Sequence, residues 1–333
     1  MAGRPEPFEV QTLLAPPLMS SSHGQWLRSG WRGWGAVLLL LGICGAIVPP
    51  GGAGAAAIER VALPALRLRG APLTAHTQGL EIVGDSIYVT ARQDTPAPRR
   101  ALLLRTAWNG TAWDLWELGG SEPGMDHPGG FQSDGQRLWI PLAMSRNGGT
   151  SFIRAYAIAD LKSGPLPAPE VEFSVADHIG ALAVLPQEDL LVGAAWDTDA
   201  VYLWDLRGRL KQTLRGTDLR HRGLGAKPLP GERPGLAVQD WKFVDGVLVA
   251  GGLVKHGGPA GDVASRLVWL DRRLEHLPTL PPLPPAPDNV ELCREGMAVA
   301  GDSVWFLPGD LGATNAMYRI SWPALRNQAC DCN

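Results

Sequence analysis

Charged residues are scarce in this sequence, and neither sign is in clear excess. They make up 19% of the 333 residues, and the formal net charge is −3. Together with an apolar fraction of 45%, this scarcity excludes an extended disordered chain, which is rich in charge and poor in apolar residues. A nucleic-acid binder carries a basic surface, so without a basic surplus we expect no nucleic-acid partner.

Familiar catalytic motifs are missing as well. The sequence contains no Gly-x-Ser-x-Gly, no phosphate-binding P-loop, no Gly-x-Gly-x-x-Gly and no Cys-x-x-Cys, so the signatures of several common enzyme classes are absent. What is abundant is glycine (41) and proline (29). Because both residues are costly inside helices and favourable in turns, they predict an all-β fold of many short strands.

The N-terminal segment has the pattern of a secretory signal. Arg28 and Arg32 precede an apolar run at 34–48, and small residues follow at 51–57. The run is short for a bilayer span, which needs roughly 20 apolar residues. We therefore expect residues 1–57 to be a signal peptide, read from Met1 or Met19, and the mature protein to be periplasmic or secreted. A retained membrane anchor, which would tether the protein, is the alternative.

Cysteines are few, and three of the four follow this leader: Cys293, Cys330 and Cys332. An odd number permits at most one intrachain disulfide. A Cys293–Cys330 bridge would suit an oxidising compartment and would pin the C-terminal tail, 323–333. Free or mutually paired cysteines in the tail are the alternative.

A segment of about 50 residues recurs along the rest of the chain. His76-Thr-Gln-Gly79-Leu-Glu aligns with His127-Pro-Gly-Gly130-Phe-Gln at an offset of 51, and His178 begins the next copy at the same offset. The fifth copy contains Cys293-Arg-Glu-Gly296. A degenerate fourth copy, around Val238-Gln-Asp-Trp241, aligns Trp241 with the repeat glycine if its first turn is one residue shorter.

Each copy is predicted to contain four strands, named A to D, which is the pattern of a β-propeller blade. Five copies predict a five-bladed propeller over residues 58–322, with six blades as the alternative if 215–236 contains an eroded unit. The last copy has no strand D of its own. The strand-like segment 58–69 is therefore predicted to supply it and to close the ring, because closure leaves only short, protected strand edges.

The first position of the repeat lies at one mouth of the predicted channel, together with the connections between strands B and C. The candidate ligand-binding residues at this mouth are His76, Gln78, His127, His178, Trp196, Asp240 and Glu295. Three imidazoles can hold a zinc ion with an open coordination position, so His76, His127 and His178 form a candidate metal site. Alternatively, one histidine acts as a general base with Glu295 as its acid partner. A third interpretation is structural, in which each histidine locks its blade to the neighbouring one.

The blades resemble an uncharacterised family of exported bacterial propellers whose blades begin with His-x-x-Gly. Thr77-Gln78-Gly79-Leu80 is also similar to the Phe-Thr-Gln-Gly-Leu motif of plant-type glutaminyl cyclotransferases, although His76 replaces the phenylalanine. That resemblance implies a five-bladed propeller that cyclises N-terminal glutamine. Gluconolactonase-like propellers, which hold a divalent metal on the channel axis, are a fold-level analogy.

From these observations we expect an exported, monomeric propeller that binds a small molecule or peptide at its channel mouth. A metal-assisted hydrolase or lactonase, or a glutaminyl cyclotransferase, is the alternative function. No cofactor is required by the sequence, but a divalent metal, zinc or calcium, is compatible with the histidines. Once the signal is cleaved, we expect no membrane contact.

Overall fold

The computed structural model describes residues 57–119, 123–228, 233–255, 263–277 and 282–325. Residues 1–56 of the predicted signal peptide, the end of the C-terminal tail and Cys330 lie outside these ranges. Within them the chain forms five small antiparallel sheets, arranged as the blades of a propeller, and one additional two-stranded hairpin. The five-bladed prediction is therefore confirmed. Across the same residues, no helix is both long enough and apolar enough to cross a membrane.

Three short strands precede the first blade, and blades one and two follow with their strands in the order A to D. The leading strands are β1 (Glu59–Leu63), β2 (Arg67–Leu68) and β3 (Ala71–Pro72). Blade one consists of β4 (His76–Val83), β5 (Ser86–Gln93), β6 (Arg100–Ala107) and β7 (Asp114–Glu117). Blade two consists of β8 (His127–Pro128), β9 (Gln132–Ser133), β10 (Arg137–Ala143), β11 (Ser151–Ala157) and β12 (Val171–Val175), with a 3-10 turn at Ile158–Asp160.

Blade three is complete, whereas blade four has three strands in the described residues. Blade three consists of β13 (Ile179–Leu185), β14 (Leu190–Ala195), β15 (Ala200–Trp204) and β16 (Leu210–Arg215), with 3-10 turns at Pro186–Glu188 and Trp196–Thr198. Blade four consists of β17 (Ala237–Val244), β18 (Val247–Lys255) and β19 (Val263–Leu270). In place of the fourth strand that the repeat predicts, the described residues contain a single bridge between Leu270 and His276.

The segment between blades three and four is a connection, so the six-bladed alternative is wrong. After β16 the chain forms one short helix, α1 (Thr217–Arg220), and its described residues return to blade four without forming a sheet of their own. Leu219, Leu224 and Leu236 from this connection are buried in the apolar core between blades three and four. The connection therefore covers the gap between two blades.

Blade five is completed by the N-terminus, as predicted. Its own strands are β20 (Gly296–Ala300), β21 (Ser303–Leu307) and β22 (Asn315–Ser321), preceded by a 3-10 turn at Leu292–Arg294. Strand β1 pairs with β22 in antiparallel register from Glu59 opposite Arg319 to Leu63 opposite Asn315. The closing strand is shorter than the predicted 58–69, because β2 and β3 form a separate hairpin.

Five apolar cores fill the five gaps between neighbouring blades. Because side chains alternate along a strand, one strand contributes to two cores. On β6, for example, Leu102 and Leu104 pack between blades five and one, whereas Leu103 packs between blades one and two. The remaining gaps are filled by three similar clusters. Each blade is thus held by both neighbours, which is what a closed ring requires.

The glycine of the His-x-x-Gly pattern lies where the inner strands meet. A Cβ atom on Gly79 would lie 2.8 Å from the Cα of Gly130, and one on Gly296 would lie 2.7 Å from the carbonyl carbon of Gly79. Side chains do not fit at such distances, so the repeat glycine permits this close approach. Between blades two and three, the Gly130 N–H donates to the Gly180 carbonyl at 2.9 Å. The inner strands are therefore in direct contact.

The closing register predicts a specific cross-link. Ala62 lies opposite Ala316, and Cα atoms of opposite residues in an antiparallel pair are about 4.5–5.5 Å apart, within the range of a disulfide. We expect the double variant Ala62→Cys/Ala316→Cys to form this bond on oxidation, detected by mass spectrometry of the unreduced digest. The mismatched control Ala62→Cys/Arg319→Cys should not. Equal cross-linking in both variants would contradict the register.

Candidate functional site

Six of the seven predicted ligand-binding residues line one cavity. We call it the histidine pocket; its volume is about 210 Å³. The six are His76, Gln78, His127, His178, Trp196 and Glu295, and the other lining residues are Gly180, Ala195, Asp197, Val238 and Gln239. They come from all five blades. The repeat predicts this convergence because its first position always lies at the same end of a blade.

Three β-bulges turn equivalent residues of strand A toward the pocket. The register between strands A and B skips one residue in blades one, three and four, and the skipped residues are Gln78, Gly180 and Gln239. A bulge re-aims a side chain and bends the strand locally. All three bulged residues line the histidine pocket. Gln239 is thus the structural counterpart of Gln78, which the sequence alignment missed.

The bulge also explains why Asp240 does not line the pocket. If Gln239 corresponds to Gln78, Asp240 occupies the place of Gly79, and the fourth copy needs no shortened turn. Gly130 leaves space for it, because a Cβ atom there would lie 2.5 Å from Asp240 Oδ1. Asp240 is fully buried, so its predicted position at the channel mouth is corrected to the point where the blades meet.

Asp240 accepts hydrogen bonds from three blades. Its carboxylate binds the backbone N–H groups of Leu80 (3.2 Å), Met297 (3.0 Å) and Trp241 (2.9 Å), and the ammonium of Lys242 (2.6 Å). Burial raises the pKa of Asp240 to about 6, against the opposing effect of Lys242. Burial raises the pKa of the neighbouring Glu81 further, to about 8. At neutral pH, Asp240 is therefore the carboxylate that pairs with Lys242, and Glu81 keeps its proton.

Each repeat histidine is fixed by a residue that lies at the end of strand B of the preceding blade or just after it. His76 Nδ1 is 2.7 Å from Asp310 Oδ1, and His178 Nδ1 is 2.7 Å from the Met144 carbonyl oxygen. His127 Nδ1 is 3.1 Å from Arg92 Nη1. All three bonds join consecutive blades, in agreement with the structural interpretation, and each leaves Nε2 as the second ring nitrogen. The two roles do not exclude each other, because a histidine has two nitrogens.

His178 and Trp196 pack against each other in the wall of the pocket. Their ring centroids are 4.6 Å apart in an edge-on arrangement, and His178 is 2% exposed. Burial lowers the pKa of His178, so the ring is neutral at pH 7. Since the Met144 carbonyl can only accept, Nδ1 carries the proton and Nε2 is left as an acceptor. Trp196 is positioned by a turn in which Asp197 and Thr198 both have positive φ.

His127 has the opposite tautomer. The Arg92 guanidinium can only donate, so the Nδ1 atom of His127 accepts and Nε2 carries the proton. Burial, followed by the charges of His178 and Arg92, lowers the pKa of His127 to about 3. The His127 and His178 ring centroids are 4.8 Å apart. Two neutral imidazoles of opposite tautomer therefore supply the pocket with one donor and one acceptor.

His76, Asp310 and Glu295 form an acid–base group at the pocket. Asp310 holds Nδ1 of His76, while Nε2 lies 3.7 Å from Glu295 Oε1. Glu295 is 7% exposed, and burial, only partly offset by Arg294, raises its pKa to about 8. Glu295 is therefore mainly a neutral carboxylic acid at pH 7, next to an imidazole that a carboxylate orients. Sequence reasoning named His76 and Glu295 but not the partner role of Asp310.

The candidate metal site has the predicted residues but, within the described part of the chain, lacks the arrangement that a metal ion requires. The three histidines line the same pocket, but no group of three His, Cys, Asp or Glu side chains within the described residues has the geometry to hold a metal ion. The guanidinium of Arg92 beside His127 also disfavours a cation there. The zinc or calcium prediction stays a prediction, which elemental analysis of the purified protein checks.

The disulfide prediction also stays open. Cys293 is 1% exposed in the core between blades four and five, and burial raises the pKa of its thiol. A buried thiol with a raised pKa is poorly reactive. Its predicted partner, Cys330, lies outside the described residues.

Part of the chain matches a known protein-family model. Residues 74–227 match a protein family described as a family of unknown function (DUF6454). A search of curated proteins finds no match. Among solved structures, a protein of unknown function from Bacteroides caccae is 16% identical, with a TM-score of 0.38, over 61% of this chain and 66% of that one. The chain thus covers just under two thirds of that protein's length.

Two further structures from the same genus have comparable similarity. A protein of unknown function from Bacteroides thetaiotaomicron is 12% identical, with a TM-score of 0.42, over 80% of this chain and 76% of that one. A glycosyl hydrolase from Bacteroides ovatus is 11% identical, with a TM-score of 0.41, over 74% and 84%. Likenesses at this level carry no argument about activity.

The raised pKa of Glu295 predicts a pH-dependent stability. Between its ordinary pKa of 4.5 and about 8, the unfolded chain releases this proton and the folded chain keeps it, so the free energy of unfolding falls as pH rises through this window. In Glu295→Gln this contribution disappears. We expect the stability of the variant relative to wild type to rise by on the order of a few kcal/mol from pH 5 to pH 8, measured by urea unfolding.

The control for this measurement is Glu117→Gln. Glu117 is exposed and pairs with Arg100 at 3.7 Å, so its removal should leave the pH dependence of wild type unchanged. Parallel stability curves for wild type and Glu295→Gln would show that Glu295 is not held as a neutral acid.

Proposed function

We propose that the histidine pocket binds a small, polar, uncharged molecule or the terminal residue of a peptide. The observation that carries this proposal is the convergence of six predicted residues on one cavity. Contacts with neighbouring blades fix the tautomers of the three histidines among them. Preorganised polar groups beside an aromatic wall are the usual composition of a small-ligand site. His127 supplies a donor, His178 an acceptor and Trp196 a flat apolar surface.

Size and charge support this class of ligand. A volume of about 210 Å³ is below the roughly 300–1,000 Å³ of drug-sized sites, so a compact ligand or one residue of a longer one fits. His127 and Glu295 are mainly uncharged at neutral pH because burial shifts the pKa of each. A fully charged ligand would lose its hydration without a matching counter-charge from these two groups.

Binding is testable with a matched pair of tryptophan variants. We expect ligand-observed NMR with a panel of small polar compounds and dipeptides to find binders whose affinity falls roughly 10-fold in Trp196→Ala, because the stacking surface is lost. In Trp108→Ala the affinity should be unchanged, since Trp108 packs on Trp305, away from the pocket. Binders that are insensitive to Trp196→Ala would place the ligand elsewhere.

A second candidate function is acid–base catalysis at the same pocket. The observation that favours it is the pairing of Asp310 with His76, next to the neutral acid Glu295. An imidazole oriented by a carboxylate acts as a general base, and a carboxylic acid with a raised pKa acts as a general acid. Two groups whose environments favour opposite proton-transfer roles are the minimum that a hydrolysis or cyclisation needs.

We assign the proton-transfer roles from the contacts of His76 with Asp310 and Glu295. In hydrolysis of a lactone or amide, His76 Nε2 takes a proton from the attacking water and Glu295 gives one to the leaving oxygen or nitrogen. In cyclisation of an N-terminal glutamine, the α-amine attacks the side-chain amide carbon. His76 then takes the amine proton, Glu295 protonates the leaving group, and ammonia departs as the new C–N bond forms. Asp310 keeps the proton on Nδ1 and favours the imidazolium that forms.

Catalysis is tested with simple lactones and with dipeptides that begin with glutamine. We expect turnover by wild type, and a fall in kcat of roughly 10²-fold or more in His76→Gln and Glu295→Gln, because each removes a proton-transfer group. The alkaline limb of the pH–rate profile should follow Glu295, with a pKa of about 8. Glu117→Gln serves again as the control. Binding without turnover, or turnover that is unchanged in Glu295→Gln, would contradict the catalytic function and would leave ligand binding as the proposed function.

We also propose that the protein acts as a monomer outside the cytoplasm, periplasmic or secreted, after removal of residues 1–57. The support for export is the basic, apolar and small-residue order of this segment. The N-terminal sequence of the mature protein distinguishes cleavage from a retained anchor.

A further inference from the structure

A second cavity, outside the histidine pocket, is lined by basic side chains. It has a volume of about 410 Å³. Its walls come from the connection between blades three and four and from β18 and β19 of blade four. The basic side chains that line it are Arg220, His221, Arg233, Arg266 and His276. We call it the arginine cavity. None of its lining residues, all of which belong to the described part of the chain, is acidic.

Arg266 is the anomalous residue of this cavity. It lies on β19 between Ala264 and Val268 on the same face, and Val268 belongs to the apolar core between blades three and four. Its cross-strand neighbour is Gly252, which has no side chain to fill the adjacent space on β18. A guanidinium on an otherwise apolar face is costly unless it is paired.

No counter-charge for Arg266 is found in the described residues. Its Nε atom is buried, and no acceptor in this part of the chain lies within hydrogen-bond distance. Glu275, adjacent to His276 in the chain, pairs with Arg222 instead, at 2.8 Å. Arg266 is half-buried, and its Nε–H is therefore removed from water without the hydrogen bond that would offset the cost.

The connection between the blades brings the other cations to Arg266. Arg220, at the end of α1, donates from Nη1 to the carbonyl oxygens of Leu224 and Gly225, which fixes its guanidinium at the wall of the cavity. Arg233 is exposed at the rim. This long connection therefore places two arginines in the same cavity as the half-buried Arg266.

We propose that the arginine cavity binds a small oxyanion group, a phosphate or a sulfate, either free or as the monoester of a small molecule. Guanidinium groups present two parallel N–H donors that match two oxygens of such a group, and the bonds are charge-assisted. The anion would supply the counter-charge that Arg266 lacks. The remaining volume accommodates the organic part of a monoester. The site is independent of the histidine pocket and of its proposed ligand.

The test is isothermal titration of the full protein with inorganic phosphate and, separately, inorganic sulfate, at fixed ionic strength. Chloride is the control for general screening. We expect saturable binding of at least one oxyanion to wild type. In Arg266→Met, affinity should fall roughly 10-fold or more, because a hydrogen bond to a charged group is lost. Methionine suits the apolar face, so this variant should fold with unchanged or higher thermal stability when no oxyanion is present.

Two further variants keep the result interpretable. Arg233→Ala, at the exposed rim, should weaken binding without affecting the fold. Arg272→Met, an exposed arginine of blade four that pairs with Glu188 at 3.2 Å, should leave binding unchanged. The proposal is overturned if wild type responds to phosphate and sulfate as it does to chloride, or if Arg266→Met binds the oxyanion as tightly as wild type. Because Trp196→Ala leaves this cavity intact, failure here is separate from failure at the histidine pocket.

Discussion

The buried carboxylate of Asp240 is the interaction on which the arrangement of the blades depends. It accepts backbone N–H groups from blades one, four and five, and Lys242 extends the network to the Phe131 carbonyl of blade two. A buried charge is tolerated only when its hydrogen bonds are satisfied. Rotation of blade one, two, four or five against its neighbours would break at least one of these bonds, so the network fixes the inner strands of these four blades.

The sequence predicted the blades and most of the site residues, but not the position of Asp240 in this network. The offset of 51 between His76, His127 and His178 was enough to predict the blades and to bring six site residues to one cavity, because a repeat places equivalent positions at equivalent ends. The predicted position of Asp240 was wrong because a β-bulge at Gln239 shifts the strand register by one residue. A bulge depends on pairing with the next strand, which an alignment of strand A alone does not contain. Arg266 was missed for a related reason, since its surroundings come from a distant connection.

The structural interpretation of the repeat histidines is compatible with the proposed binding role. Nδ1 of each ring joins its own blade to the preceding one, and Nε2 is the nitrogen left for the pocket. Recurrence of histidine at the starts of blades one, two and three therefore does not by itself indicate a purely structural residue. The chemical difference between the three lies in their partners: a carboxylate for His76, a guanidinium for His127 and a carbonyl for His178. The three equivalent histidines therefore differ in which ring nitrogen donates and which accepts a hydrogen bond. An alignment of the repeats does not reveal this difference, because the partners lie outside the aligned segment.

The position of strand β1 in the chain makes closure of the ring a late step in folding. Among the described strands it is synthesised first, yet Glu59 pairs with Arg319 of β22, so the ring cannot close until most of the chain is available. Until then β22 exposes an unpaired edge, and β1 is an extended segment without a sheet. Any process that holds back the N-terminus therefore also holds back completion of the propeller, and release of that end is the step that commits the chain to its final form.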